Sequence, residues 1–292
     1  MAVKLDMIDS GITTEVSRPF STPISQSVGS FYYDRAQRSN TTSMTNGHYH
    51  NMYEIYFLAA GQCRYFVENK LFRVEAGDLL LIPQGTIHKT IYLDTATDRH
   101  LLNFSATYIP PTLLNEVRAL FTRTIYHPAK HILPDITAIF GKIAAEHRKT
   151  DSYSKLLLSS YMTELFSLML RTPSADRASH SADTPIETAT RYISANYQSP
   201  LTLEQVAAHA NLSPSYFSRL FKSTTGFGFK EYLTLLRLKQ AQSLLIHSDK
   251  SICDIAYECG FNDSNYFSSV FRDFNDNSPL NYRKQKRHLA DK

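Results

Sequence analysis

Three textures of apolar and polar positions follow one another along this chain of 292 residues. From residue 28 to 105, aromatic and β-branched residues come in short runs: EIYFL at 54–58, RYFVE at 64–68 and DLLLI at 78–82. Gly61, Gly77 and Pro83-Gln84-Gly85 punctuate them. Short runs bounded by turn residues predict many short strands, the pattern of an all-β sandwich or barrel. From 110 to 171 the period changes. Ile132, Ile136, Ile139, Phe140 and Ile143 recur at helical spacing, and so do Leu157, Tyr161, Leu165, Leu168 and Met169. Lys149-Thr150-Asp151-Ser152 forms the loop between them. This predicts a helical hairpin whose apolar stripes pack on the β region, on a second copy of the chain, or on both. Residues 172–185, TPSADRASHSADTP, hold little that could offset the entropy of ordering, so a linker is expected there.

The last third repeats itself. At an offset of 50, Tyr216-Phe217 returns as Tyr266-Phe267, Leu220-Phe221-Lys222 as Val270-Phe271-Arg272, and Tyr232 as Tyr282. Slightly upstream, Val206-Ala207 returns as Ile255-Ala256. Helix punctuation frames each copy. Thr202 with Gln205 three residues on reads as a capping box. Asn211 suits a left-handed turn, and Ser213-Pro214 starts a second helix as N-cap and first helical residue. In the second copy Ser251 caps with Asp254 following, Gly260 ends the helix, and Asp263 starts the next. Small Ala207 and Ala256 stand where the paired helices cross, so each copy is a helix-turn-helix. An unbroken helical pattern over 229–246 joins them, about 27 Å long, which could set the second helices about 34 Å apart, one turn of B-DNA. Gly228 stands where Ser278 caps in the second copy, and Gly226 where Asp276 must take a left-handed turn.

Charge changes this picture little. The net charge of +4 divides as +3 in residues 184–292 and +1 in the remainder, with Arg283, Lys284, Lys286 and Arg287 clustered near the end. By itself that is a solvated basic tail. Cys63, Cys253 and Cys259 have no CxxC spacing, which argues against a disulfide framework or a zinc site and for a reducing cytoplasm. The first ten residues do not read as a secretory signal, and no stretch reaches the roughly 18 apolar residues of a membrane helix. No membrane association is expected.

The last-third motifs, LTLEQVAAHANLSPSYFSRLFKSTTG, then I.DIA…GF.D..YFS..F and SP..YR, resemble the AraC/XylS family of bacterial regulators over roughly 100 residues. The resemblance implies double-stranded DNA and RNA polymerase as partners. With Tyr216, Phe217, Leu220 and Phe221 on the buried face of the first recognition helix, the resemblance places Ser215, Ser218 and Arg219 toward the groove, with Lys222 also outward. The outward set on the second is Ser264, Asn265, Ser268, Ser269 and Arg272. Arg219 suits a bidentate bond to guanine or a phosphate contact.

The β region carries His48-x-His50-xxx-Glu54-x6-Gly61 and Gly77-x5-Pro83-x-Gly85-xx-His88. This is similar to the two cupin motifs, with Tyr92 at the position of their final Asn. In one strand, 48, 50 and 54 would share a face. The resemblance implies that these three and His88 either bind a small-molecule effector or hold a divalent metal. The favoured reading is an effector site of His48, His50, Glu54, Tyr56 and His88, a sugar being the expected ligand, with Phe66 and Tyr92 as further stacking surfaces. No catalytic residues and no resident cofactor are expected, the metal set His48, His50, Glu54 and His88 being the alternative.

The expectation is therefore an α+β chain. A cupin-like β-barrel (20–108) precedes a helical hairpin for dimerisation (109–171), a linker (172–185) and an all-α double helix-turn-helix domain (186–288). Its function would be effector-responsive transcription regulation, activation by family habit, as a cytoplasmic homodimer. A metal-dependent cupin enzyme fused to a DNA-binding module, and a regulator with an empty vestigial barrel, are the rivals.

Overall fold

The computed structural model describes residues 30–38, 47–93, 96–149, 151–174 and 184–290. Residues 20–29 of the expected barrel and 175–183 of the expected linker lie outside them. Among the described residues eight strands form the N-terminal part: β1 (Phe31–Arg38), β2 (Tyr53–Ala60), β3 (Gln62–Val67), β4 (Lys70–Glu75), β5 (Leu79–Ile82), β6 (His88–Tyr92), β7 (Thr97–Phe104) and β8 (Ile125–Tyr126). They make a five-stranded sheet in the order β1-β7-β2-β5-β8 and a three-stranded sheet β4-β3-β6. Gly61, Gly77 and Gly85 all take positive φ at the predicted turns.

Among the described residues the two ladders do not join, so the expected barrel is an open two-sheet sandwich. Side chains rather than hydrogen bonds close it. Tyr56, Leu58, Leu80 and Ile82 of the large sheet meet Cys63, Tyr65, Val67, Phe72, Val74 and Tyr92 of the small one. Strand alternation sends Tyr53, Ile55, Phe57, Leu79, Leu81, Leu102 and Phe104 to the opposite face of the large sheet. Three helices cover that face: α1 (Leu114–Phe121), α2 (Leu133–His147) and α3 (Ser154–Arg171). The hairpin α2–α3 is as read from the sequence, but the stripe of α3 is rotated. Leu158, Met162, Leu165, Phe166 and Met169 are buried, whereas Leu157 is exposed and Tyr161 and Leu168 are only half-buried.

Seven helices follow: α4 (Pro185–Asn196), α5 (Leu203–His209), α6 (Pro214–Thr225), α7 (Phe229–His247), α8 (Ile252–Glu258), α9 (Ser264–Asn275) and α10 (Pro279–Ala290). The first, α4, begins at the last residue of the expected linker. Thr184 is its N-cap, Pro185 opens it, and Glu187 completes a capping box. The Glu187 carboxylate also accepts from the Leu71 backbone N–H at 2.7 Å, so one side chain both caps α4 and holds β4.

The small sheet does not face water over the whole of its outer side. Phe66, Leu71 and Ile87 pack into the core of the C-terminal helices. The Tyr232 hydroxyl on α7 donates to the Glu68 carbonyl at 2.7 Å, and Lys239 pairs with the Glu68 carboxylate at 3.2 Å. The small sheet is thus covered on its inner face and at one end of its outer face, while Arg64 and Arg73 at the other end stay exposed. Within the helical part, Arg237 on α7 donates to the carbonyls of Tyr197 (2.7 Å) and Ser199 (3.0 Å). The same loop lies against Gly260, whose φ is +87°. These contacts lock the end of α8 to the loop after α4.

Candidate functional site

The helix-turn-helix units form because the local signals agree. Thr202 Oγ1 accepts from the Gln205 N–H, and Gln205 Oε1 from the Thr202 N–H, at 3.2 and 2.9 Å. Asn211 takes the left-handed turn at φ 56°, and Ser213 and Pro214 open α6. In the second unit Ser251 accepts from the Asp254 N–H at 3.1 Å and Asp263 from the Tyr266 N–H at 2.6 Å. Gly226 and Asp276 end α6 and α9 in the left-handed conformation, as their alignment predicts. Gly228 has no capping side chain, but its N–H donates to Glu231 at 3.2 Å, so half of a capping box survives.

Ala207 and Ala256 are fully buried at the helix crossings, and the pairs Phe217/Phe221 and Phe267/Phe271 fill the two cores. The opposite faces of α6 and α9 are open. Ser215, Ser218, Arg219, Lys222, Asn265, Ser269 and Arg272 are exposed, while Ser264 and Ser268 are half-buried. Tyr216 departs from its expected place in the core. It is 49% exposed, and its counterpart Tyr266 58%. The pair at i and i+4, Phe217 and Phe221, takes the core, leaving the preceding residue on the flank beside the polar face. The two tyrosines therefore join the outward set. The tail arginines do not: Arg283 donates to the Lys250 carbonyl at 2.6 Å, and Arg287 to the Ile246 carbonyl at 3.1 Å and to Asp249 at 2.7 Å. They satisfy carbonyls at and after the C-terminus of α7, where the helix leaves acceptors without donors.

A second polar cluster lies inside the sandwich. His48, His50, Glu54 and His88 are buried together, and one ligand atom of each lies within 4.8 Å of the others. They do not share one strand as expected. Glu54 is on β2 and His88 opens β6, whereas His48 and His50 lie on an irregular segment tied to β6 by the His48–His88 backbone bridge. The ring centroids of His48 and His88 are 4.3 Å apart, those of His50 and His88 5.0 Å.

Hydrogen bonds fix the orientation of two rings. His50 Nδ1 lies 3.0 Å from the Met52 carbonyl and His88 Nδ1 2.8 Å from the Thr86 carbonyl. A carbonyl only accepts, so each Nδ1 donates to its carbonyl and each Nε2 points at Glu54, whose carboxylate accepts from His50 at 3.0 Å and lies 3.5 Å from His88. Neither His88 Nε2 nor His48 Nδ1 has a hydrogen-bond partner. Burial pushes the Glu54 carboxyl up, but His88 and His50 beside it outweigh burial and hold it well below the usual carboxylate range. Burial, then the neighbouring His88 and His50, push His48 well below its ordinary value, leaving it a neutral base.

Tyr65 was not singled out from the sequence, yet its hydroxyl donates to Glu54 Oε1 at 2.6 Å. Phe66, read as a stacking surface for a ligand, faces the C-terminal helices instead. A one-residue difference in parity exchanges these two side chains. Tyr56 and Tyr92 do point inward; the Tyr56 ring meets that of Tyr65 edge-on at 5.1 Å.

The tetrad fits a metal ion. Three imidazoles and a carboxylate are the donor set of a first-row transition ion, not the all-oxygen set of Ca²⁺ or Mg²⁺. An Nδ1–H held by a backbone carbonyl leaves Nε2 free to ligate, as in metal-bound histidines. The four residues would hold such an ion, which would bring fixed positive charge into the sandwich.

Residues 32–166 match the AraC-like ligand binding domain, and residues 206–285 match a helix-turn-helix domain. The chain is 45% identical over 103 residues to the regulatory protein PocR of Salmonella typhimurium. That match covers 35% of this chain and 34% of PocR, so the chain spans about a third of PocR's length. It is 27% identical over 245 residues to the HTH-type transcriptional activator RhaR of Mannheimia succiniciproducens, covering 81% of this chain and 86% of RhaR. Among solved structures, the DNA-binding domain of AdpA in complex with a target DNA is 30% identical, covering 37% of this chain and 98% of that one, with a TM-score of 0.36. Among the described residues no helix is long and apolar enough to cross a membrane. Two helix-turn-helix units joined by α7, behind a two-sheet ligand-binding domain, and these matches to both parts show that the chain belongs to the AraC family of transcription regulators.

Proposed function

We propose that the chain is a sequence-specific transcription activator whose hold on DNA responds to a small molecule bound inside the sandwich. The observation that carries it is the pair of helices α6 and α9, each with a buried aromatic face and an open polar one. Ser215, Ser218, Arg219 and Lys222 contact the first major-groove segment. Ser264, Asn265, Ser268, Ser269 and Arg272 contact the next. Activation is supported by the likeness to RhaR, a transcriptional activator, and RNA polymerase is the partner that activation calls for. A DNA-binding regulator of this kind acts in the cytoplasm. The effector is a sugar whose hydroxyls meet His48, His50, Glu54 and His88, with Tyr56 beside them.

Selection from a random DNA pool tests the DNA half of this reading. The expected product is a site with two elements about one helical turn apart. Enrichment of no sequence would sink it. Thermal-shift measurements against a sugar panel test the other half. A ligand present at 100 times its Kd stabilises by about 2.7 kcal/mol, and no shift with any sugar would remove sugars as the effector class.

The functional unit is a homodimer formed through α3. Tyr153, Leu156 and Leu157 lie exposed near its N-terminus, Tyr153 and Leu156 by 70% and 68%. Leu156→Glu is expected to produce a monomer in sedimentation while changing monomer stability by no more than about 0.5 kcal/mol. An unaltered dimer would place the seam elsewhere.

A further inference from the structure

The buried tetrad and the DNA-binding domain are opposite sides of the same two stretches of backbone. Tyr49 stands between His48 and His50. The histidines turn inward, and Tyr49 turns outward to stack on Phe274, near the C-terminal end of α9, at 5.3 Å between centroids and 24° between planes. Ile87 and Lys89 flank His88 in the same way. Ile87 packs into the helical core, and Lys89 Nζ donates to the Ser223 carbonyl near the C-terminal end of α6 at 3.1 Å. Gly47 sits so close to α6 that a Cβ there would collide with the Thr225 carbonyl oxygen. Every histidine of the tetrad is thus next in sequence to a residue that touches the DNA-binding domain. Those contacts reach both helix-turn-helix units, α6 through Ser223 and Thr225, and α9 through Phe274.

We propose that a divalent first-row transition-metal ion bound by His48, His50, Glu54 and His88 fixes the small sheet as a clamp across the ends of α6 and α9, and so sets the DNA affinity of the pair. This rests on the reading of the chain as a ligand-responsive DNA-binding protein, and it names the ligand class of the tetrad. The fit is geometric: two Nε2 atoms face a carboxylate, and His48 Nδ1 has no partner among the described residues. Metal bonds of about 2.0–2.2 Å hold ligands no more than about 4.4 Å apart. Donors spread over as much as 4.8 Å must therefore close on the ion. That closure draws on segments 47–50 and 87–89, which carry Tyr49 and Lys89. With the clamp fixed, α6 and α9 are held in one arrangement before DNA arrives, and less ordering remains to be done on binding. The ion acts only through its differential affinity for the clamped arrangement. A sugar is compatible with it, its hydroxyl oxygens then meeting the four side chains through the ion, at positions the protein donors leave open.

The test uses the full chain, stripped by chelation and reloaded with Zn²⁺, Mn²⁺ or Ni²⁺, with Mg²⁺ as the contrasting ion. Metal content, thermal stability and affinity for a DNA site selected from a random pool are measured on each form. One ion per chain is expected for at least one of the three. With it should come a raised thermal transition and an affinity gain of about tenfold or more, neither of which Mg²⁺ produces. Glu54→Gln is expected to lose the ion and the gain together. Tyr49→Leu, which leaves all four ligands in place, is expected to keep the ion and lose the gain; its own thermal transition reports whether it is folded. No stoichiometric ion, an ion without effect on affinity, or a full gain in Tyr49→Leu would each overturn the proposal. Sequence-selective binding that ignores metal overturns the clamp alone. Failure to select any DNA in either state overturns the DNA-binding reading as well.

Discussion

Gly260→Ala is expected to lower the thermal transition of the C-terminal helices by roughly 10 °C or more. Gly260 ends α8 at φ +87°, and a Cβ there would lie 2.7 Å from the carbonyl oxygens of both Tyr197 and Gln198. Backbone atoms cannot rotate away as a side-chain end can, and Arg237 pins this loop from α7. The left-handed conformation costs a residue with a Cβ about 1–2 kcal/mol, and forcing the loop outward about 1–3 kcal/mol more. A domain of this size has about 5–15 kcal/mol in total. Gly141→Ala is the matched comparison. It lies in α2 with nothing within 4 Å of its would-be Cβ, so alanine there should be neutral or stabilising by about 0.5–1 kcal/mol. Thermal unfolding followed by circular dichroism separates the two. If Gly260→Ala melts like Gly141→Ala, the close approach of α8 to the loop after α4 is wrong.

Arg219→Ala is expected to remove about 1–3 kcal/mol of discrimination at one base position, roughly a ten- to hundredfold loss of preference, while leaving mismatched sites almost unaffected. Arg219 is exposed on α6, and no hydroxyl neighbour can replace its paired donors. Lys222→Ala should instead weaken all sequences alike and reduce the salt dependence by about one counterion. The counterpart of Arg219 in the second unit is Ser269, so substitutions on α9 should cost less selectivity than Arg219→Ala. Titration of matched and single-mismatch duplexes at two salt concentrations checks all three statements. Equal losses on matched and mismatched duplexes for both α6 variants would refute the division between base reader and phosphate contact.

What the residues disclosed in advance follows from how local each signal is. Thr202 with Gln205, Asn211, Asp263 and Gly260 act through bonds or torsions within a few residues of themselves, and all stand where the sequence places them. The capping box Thr184-Pro185-x-Glu187 was equally local and marks α4, though it sits at the end of a polar, small-residue run that reads as linker. The tetrad was legible as a set because its residue types are unusual together. Its support was not. Tyr65 and Phe66 are adjacent aromatics in the half of β3 that is apolar at both parities, because both faces of the sheet are buried at that end. A sheet wet on one side declares its register by alternating polar residues; β3 alternates only in its first half, where Gln62 and Arg64 share the parity of Phe66. The docking of the small sheet on α6, α7 and α9 depends on side chains more than a hundred residues apart, such as Lys89 and Ser223, and no periodicity connects them.

The small sheet is a party wall. Cys63, Tyr65 and Val67 belong to the chamber, while Phe66 belongs to the DNA-binding neighbour. Substitutions can therefore divide the labour. On the proposed effector reading, changes at inward positions would retune what the chamber admits, and changes at outward positions how firmly its state is passed on. Single-residue insertions or deletions in β3 cannot divide it, because shifting the parity exchanges both sets at once. Lineages of this regulator should accordingly diversify along these strands by replacement, with strand length held constant, and a newly acquired inducer need not disturb the machinery that reports it.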